Sequence, residues 1–549
     1  MVGMDDSMRE MVLNGIREYA KRNFSQDYLL KIDKEGHLPR ETVKEMYDPT
    51  KLGIHLLLIP PEFGGIGAAN FDMYQVCELL GSIDLGIATA VFATFLGLDP
   101  LRVGGSPEQK QKWFTRVANE CLLCAYGATE AEAGSDLGSL KTTAVPVMEG
   151  GRTVGYKISG SKQWISNGGI ADIYFILARD TRAVGWFIVE KGTSGMEFNN
   201  PEDKHGIRAS NTVAFSLDNV YVPAENLVGM EEGQGLTQAQ AVFGNTRLMV
   251  AAFGLGGGWE ALGRAVSYSQ GRVQAGSPLS EKQGYMHKLI VPNAIRLEAS
   301  RAYIEETAHR LDDMGGEGAL ATEGAIAKLS ASEAGNAAAE CSIQALGGYG
   351  YVREMMVEKV KRDVRITMIY EGTSEVLEMT IARDRWQEHL KTRGTYYDRF
   401  ASQMDELASK DPNVGASTAA LALRALNNII EVCREQKLTR NQHVLMRLGE
   451  LITYAETAMM FSKKAAEEKY SSAVRFDRET WQAMARLYAR NAAKKISDDG
   501  LKVVLGYGDG RAAELSKRFF SDLINDAQKG SKEDAELISE KLKGVFKKA

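Results

Sequence analysis

The chain has 549 residues, 44% of them hydrophobic and 25% charged, with 66 Lys plus Arg against 72 Asp plus Glu and a net charge of -6. This balance excludes a mainly disordered chain and a minimal module held by disulfides or metal. The absence of a basic footprint argues against nucleic acid as a partner. At roughly 150 residues per domain the length allows three or four domains. Five cysteines (Cys77, Cys121, Cys124, Cys341, Cys433) are too few and too scattered for a disulfide framework, so a reducing compartment is expected. Asp5, Asp6 and Glu10 stand where a signal or transit peptide is basic or poor in acids. A cytoplasmic protein is therefore expected, or a matrix protein if organellar. No apolar run is expected to reach the ~18 residues of a membrane span.

In chain order, Asp72 to Leu96 alternates at helical spacing. Tyr156–Ile165, Asp172–Leu177, Trp186–Val189 and Thr212–Val222 are β-branched and aromatic, bounded by Gly and Asn clusters, and predict strands. Residues 122–238 thus form a compact β domain. From Pro292 onward only Pro412 interrupts, which leaves this half free to be helical. His287–Ala308 and His443–Ala465 echo one another, as do Leu346–Gly350 and Leu505–Gly508. Agreement in order and spacing favours a diverged duplication of a helical bundle.

Three segments carry chemistry. Tyr126–Asp136 (YGATEAEAGSD) joins small residues to Thr129 and Ser135, so that backbone N–H groups can approach a flat ring and a phosphate. Lys162–Gly169 (KQWISNGG) places Trp164 and Ser166 in a strand, an aromatic face beside a hydroxyl. Ile369–Val376 (IYEGTSEV) holds a lone carboxylate, Glu371, before the turn pair Gly372–Thr373, with Arg383 following. The Cys121/Cys124 pair has no second pair to complete a metal set, so packing is expected. Phe253–Trp259 (FGLGGGW) has a GxG pattern without a preceding strand, which predicts close helix packing rather than dinucleotide binding. The lysine tail (Lys541, Lys543, Lys547, Lys548) reads as a solvated helix end rather than a membrane patch.

Ile59–Gly65, Ala125–Asp136, Lys162–Gly169, Lys204–Thr212, Gln344–Tyr351 and Ile369–Val376 together resemble the acyl-CoA dehydrogenase family. The resemblance runs through about residue 388, which is some seven-tenths of the chain. It implies a mainly α fold with a central β domain. The domains are an N-terminal helical domain (1–121), a β-barrel-like middle domain (122–238), a four-helix bundle with the catalytic base (239–388) and an extra C-terminal helical domain (389–549), as in the very-long-chain branch. It also implies FAD.

Carried over by position, Glu371 is the base that removes the α-proton of an acyl-CoA thioester. Such a proton is weakly acidic, so the base needs a desolvated carboxylate. The enolate oxygen needs two donors; the resemblance assigns the Glu371 N–H and a ribityl hydroxyl of FAD. Tyr126, Ala128, Thr129, Gly134 and Ser135 lie beside the flavin and thioester arm, and Trp164 and Ser166 flank the isoalloxazine. Arg272 reaches the FAD phosphates of a partner subunit. Gln344, Gly347 and Gly348 meet the adenosine end, with Thr373 and Glu375 near the cofactor. Substrate contacts fall to Ser135, Arg247, Tyr370 and Gly372, with Ala88 and Phe92 of Leu85–Gly97 setting pocket depth. No metal is implied.

The sequence departs from the family pattern at Ala131–Glu132, Gly244, Ala275 and Glu375. Thr246 occupies the place of the alternative base of other members, which leaves Glu371 without a rival. The expected reaction is α,β-desaturation of a saturated acyl-CoA in fatty-acid β-oxidation, in a homodimer that passes electrons to an electron-transferring flavoprotein. An acyl-CoA oxidase using O₂ and an assembly protein with this fold are the rivals.

Overall fold

The computed structural model describes residues 3–314, 320–467 and 475–546. The chain divides into two compact units. Met1–Met249 with Ala308–Ala321 form the first, and Val250–Thr307 with Thr322–Ala549 the second.

The first unit begins with α1 (Asp6–Asn23), α2 (Gln26–Glu35) and α3 (Arg40–Tyr47). Asp5 and Ser25 supply the side-chain caps of the first two, and Gly36 ends α2 in the left-handed conformation (φ 67°). The continuous helical stretch expected over Asp72–Leu96 is two helices, α4 (Asn70–Ile83) and α5 (Leu85–Gly104). Asp84 is extended and breaks the run, and its carboxylate accepts from the Ile87 N–H at 2.9 Å to restart it. Then α6 (Pro107–Glu120) opens on a capping box of Ser106 and Gln109.

Helix α5 corrects the expectation about apolar runs. It is long and apolar enough to cross a membrane by length and composition, and 83% of that window is buried inside the protein. Its small residues explain the burial: a side chain at Gly97 would collide with Cys124 and the Ala125 N–H of strand β1 (Cys124–Gly127).

Six further strands follow: β2 (Thr143–Glu149), β3 (Arg152–Ser166), β4 (Ile173–Ala178), β5 (Gly185–Glu190), β6 (Met196–Phe198) and β7 (Thr212–Pro223). They make two sheets, in the orders β1-β4-β5 and β2-β3-β7-β6. Ile158, Phe187, Val189, Val213 and Phe215 share one buried cluster drawn from both sheets. Strands β3, β4, β5 and β7 match the four predicted segments. Strands β1, β2 and β6 are additional: β1 and β6 have only four and three residues, and β2 carries Pro146 and exposed alternate positions.

Helix α7 (Gly235–Gly271) is followed by a hairpin of β8 (Val273–Gln274) and β9 (Ser277–Pro278). A single turn, α8 (Gln283–Tyr285), runs through a π-helical stretch (Met286–Ile290) into α9 (Val291–Met314). Then come α10 (Ala321–Leu346), α11 (Val357–Val364) and α12 (Ser374–Lys391). The glycines of Phe253–Trp259 do serve packing. A Cβ on Gly258 would lie 2.8 Å from the Gly335 Cα on α10.

The remaining helices are α13 (Tyr396–Lys410), α14 (Ala416–Glu435), α15 (Gln442–Ala466), α16 (Arg478–Tyr507), α17 (Ala512–Arg518), α18 (Ser521–Asp526) and α19 (Ser531–Val545). The extension is tied to the second unit's earlier helices by one buried carboxylate, Glu456 of α15. It takes Arg385 of α12 at 2.7 and 3.0 Å and the hydroxyls of Tyr303 and Tyr397 at 3.0 Å each. In the lysine tail, Lys541 pairs with Asp477 at 2.6 Å and Lys543 with Glu540 at 2.5 Å; Lys547 and Lys548 lie outside the described residues.

Candidate active site

In the first unit, the Tyr126–Asp136 segment leaves β1 as a tight loop. Glu130 and Ala133 bond each other backbone to backbone at 3.0 and 3.2 Å. The Glu130 carboxylate accepts from the N–H groups of Lys141 (2.6 Å) and Thr142 (3.0 Å) and from the Lys162 ammonium (2.7 Å). Burial by itself would raise this carboxyl, but the Lys162 ammonium and the donors from Thr142 and Lys141 outweigh it and hold it at about 2. Lys162 is pulled down to about 8 by burial, against the opposing pull of Glu130. The Gln163 N–H donates to the Thr129 carbonyl at 3.0 Å and the Lys162 ammonium to the Ala128 carbonyl at 3.2 Å, so several bonds join loop and β3.

Lys162 to Ile165 is also where the β3–β7 register shifts. Trp164 lies in that bulge at φ 57°, and its indole stands 57% exposed. A bulge re-aims one side chain out of the sheet's alternation. Asn167 is left-handed as well (φ 58°) and donates from Nδ2 to the Ala90 carbonyl of α5 at 2.8 Å, which anchors the following turn. Tyr126 is half-buried and packs on Trp186 (ring centroids 4.6 Å), while Ser166 and Thr129 are half-buried. Gly134 and Ser135 are exposed, and a Cβ on Gly134 would meet nothing within 4 Å. Ala128 is buried, and its carbonyl accepts from the Lys162 ammonium at 3.2 Å. An exposed indole beside an open small-residue loop fits a flat heteroaromatic ligand that needs close backbone approach.

Of the expected pocket residues, Ala88 is fully buried and Phe92 keeps 8% exposure and packs edge-on against Phe95. The inward face of α5 meets protein along nearly its whole length, which the spacing of Ala88 and Phe92 did not disclose. Arg247 is 9% exposed, with its guanidinium over the Phe243 ring at 4.9 Å.

In the second unit, Glu371 sits in the turn before α12, half-buried and left-handed (φ 56°), followed by Gly372 at φ 98°. Left-handed backbone costs a non-glycine residue roughly 1 kcal/mol or more, so the turn must be held. One face of α10 holds it. The Lys328 ammonium donates to the Gly372 carbonyl at 2.6 Å and the Ser332 hydroxyl to the Thr367 carbonyl at 2.9 Å. The Asn336 amide donates to the Val364 carbonyl at 2.9 Å. Glu333, beside them, accepts from the Ser374 hydroxyl at 2.8 Å, and Thr373 N-caps α12. Lys328, Ser332 and Asn336 were not among the expected residues. Their i, i+4, i+8 spacing on an alanine-rich helix was the available signal.

Tyr370 and Thr373 are half-buried and Glu375 is exposed. Arg272 is exposed at the base of the β8–β9 hairpin, whose turn has Ala275 and Gly276 at φ 46° and 82°. Gln344, Gly347 and Gly348 are exposed at the end of α10, beside Tyr349 (52%) and Tyr351 (85%), and neither glycine's Cβ would meet an atom within 4 Å. Open glycines beside uncovered aromatic rings leave room here for a ligand to approach the backbone.

The N-terminal, middle and C-terminal domain models of acyl-CoA dehydrogenase match residues 6–120, 125–220 and 233–385. The chain belongs to the acyl-CoA dehydrogenase family. Among its relatives is a cyclohex-1-ene-1-carbonyl-CoA dehydrogenase of Geobacter metallireducens, 33% identical over 381 residues, which are 68% of this chain and 97% of that one. A very long-chain specific acyl-CoA dehydrogenase of Rattus norvegicus is 34% identical over 345 residues, covering 60% of this chain and 51% of its own. An acyl-CoA dehydrogenase of Bacillus anthracis, solved complexed with FAD, shares the fold over 99% of this chain and 96% of its own (TM-score 0.83, 21% identity). That span includes the extension beyond residue 385, so the extra C-terminal helices are part of a recurring architecture. The enzyme is thus an oxidoreductase of this family.

Proposed function

We propose that this enzyme binds FAD and desaturates a saturated acyl-CoA between its α and β carbons, with Glu371 as the base. The observation that carries the reading is the Glu371 turn: a strained carboxylate-bearing residue fixed from below by Lys328, Ser332 and Asn336. Holding the backbone fixes the carboxylate's approach to the substrate, and the family resemblance assigns the Glu371 N–H to the thioester oxygen, where charge develops.

FAD, when bound, supplies the acceptor for the hydride lost from the β carbon. On the first unit Tyr126, Ala128, Thr129, Gly134, Ser135, Trp164 and Ser166 would hold its ring system. Trp164 offers a stacking face and Ser166 a hydrogen bond. On the second unit Arg272 would reach the phosphates and Gln344, Gly347 and Gly348 the adenosine end, with Thr373 and Glu375 near the cofactor, in a homodimer where Arg272 serves the partner copy. Arg247 would orient the CoA side and Phe92 would limit chain depth.

We infer further that electrons pass to an electron-transferring flavoprotein rather than to O₂. The test is anaerobic bleaching of the flavin by a chain-length series of acyl-CoAs. Glu371→Gln should slow bleaching by about 10²–10⁴-fold with flavin content unchanged. A rate equal to the unsubstituted enzyme removes Glu371 as the base. Peroxide formed in air without added acceptor removes the flavoprotein assignment.

A further inference from the structure

The second unit holds a cleft of about 200 Å³, lined by α9, α10 and α12 together with α15 and α16 of the extension. Its charged groups sort into matched and unmatched. Glu450 pairs with Lys495 at 2.9 Å and with Arg447, which also takes Asp499 at 3.0 Å. Glu333 has the Ser374 hydroxyl. Two groups remain: among the described residues neither the Arg296 guanidinium of α9 nor the Glu378 carboxyl of α12 has a hydrogen bond or an ion pair, although both are half-buried. A partly desolvated guanidinium with five donors and a partly desolvated carboxyl each lose stability when left unmatched.

The two do not close on each other. The α12 backbone at Glu378 is fixed by α15, where Gly449 packs so closely that a Cβ there would collide with the Glu378 carbonyl. Between them the walls are Leu329 and Ala334 and the stacked rings of Tyr454 and Tyr488 (6.3 Å, 13°). The space equals roughly six or seven waters, or one small molecule.

We propose that this cleft binds a small zwitterion, its carboxylate on Arg296 and its ammonium on Glu378. An anion would leave Glu378 unmatched and a simple cation would leave Arg296 unmatched; only an occupant with both charges completes the two. The site is separate from the acyl-CoA chemistry, yet it touches the catalytic turn, because Glu333 in its wall holds Ser374 three residues after Glu371. Burial, reinforced by Glu450, Glu333 and Glu375 and opposed by Arg447, pushes Glu378 up to about 7. The groups facing it are Arg296 on α9, Glu333 on α10, Glu375 on α12, Arg447, Glu450 and Tyr454 on α15 and Tyr488 on α16. An ammonium needs the ionised carboxylate, so binding should strengthen from about pH 6 to about pH 8.

The test is calorimetric titration of the purified full chain with the ω-amino acids from glycine to 6-aminohexanoate, which vary the spacing between charges, against hexanoate and hexylammonium. At least one zwitterion should bind about tenfold or more tightly than either singly charged probe. Arg296→Met and Glu378→Gln should each remove about that factor, with flavin content and melting curve retained. Where a variant does not fold, the pH series on the unsubstituted protein decides. No binding by any zwitterion, equal binding by the singly charged probes, unaltered binding in folded variants, or affinity that does not rise with pH overturns the proposal.

Discussion

Glu130 and Lys162 sit 2.7 Å apart with side chains 7% and 0% exposed, one on the loop after β1 and the other at the β3 bulge. Replacing Glu130 with Gln leaves an ammonium in a site without a counter-charge, which costs about 3 kcal/mol. Thermal melts at neutral pH should register that loss, and Lys162→Met added to Glu130→Gln should recover part of it. The folded-state carboxyl is held below its ordinary range, so its contribution is present above pH ~4.5 and is lost as pH falls toward about 2. Glu130→Gln should therefore flatten the acid limb of the stability curve over that interval. Both residues lie inside the motifs YGATEAEAGSD and KQWISNGG, so the sequence named the right segments. That the acid and the lysine meet was not legible, because the contact joins positions 32 apart through a register shift that no local pattern encodes. The left-handed backbone of Trp164 and Glu371 was hidden for the same reason. Neither residue type prefers φ > 0, and only the surrounding contacts impose it.

At the level of elements, helices and long strands were legible because burial gave them a period. The break at Asp84 was not, since apolar spacing continues through it while the Asp84 cap resets the backbone. The Glu371 turn depends on α10 more than on its own residues. Lys328→Met should remove the Gly372 anchor and release Glu371 from its approach geometry. The expected result is a fall in kcat of about tenfold or more with little change in flavin content or KM. Steady-state kinetics beside the flavin absorbance ratio would check it, and an equal loss of flavin would contradict it. The β8–β9 turn offers a test of local strain. Ala275 is exposed with φ 46°, so Ala275→Gly should raise the melting temperature slightly, by relieving a cost of about 1 kcal/mol.

For the whole molecule, the surplus beyond the family core packs into the second unit. Glu456 answers one arginine and two tyrosine hydroxyls with a single buried carboxylate. Removing it strands Arg385, whose other carboxylate, Glu323, lies 3.2 Å away. Glu456→Ala should cost about 3–5 kcal/mol and show as a lowered denaturant midpoint. If the midpoint holds, the extension is not fastened there. The duplication read from the echoes falls on helices of comparable length: 24 and 25 residues for α9 and α15, 26 and 30 for α10 and α16. The later echoing segment has no counterpart of Tyr370–Glu371–Gly372.

The crossing of α15 over α12 has a consequence for how such enzymes can be recombined. Gly449 admits no side chain against the Glu378 carbonyl, and Gly263 of α7 admits none against the Phe546 ring of the tail, so the extension meets the core at crossings keyed by glycine. A chimera that joins this tail to the core of a relative should fold only where the donor helix brings a glycine to the crossing of α15 over α12 and the recipient helix keeps its backbone there. Core and tail must therefore be inherited together, even though every motif for the chemistry lies before the junction.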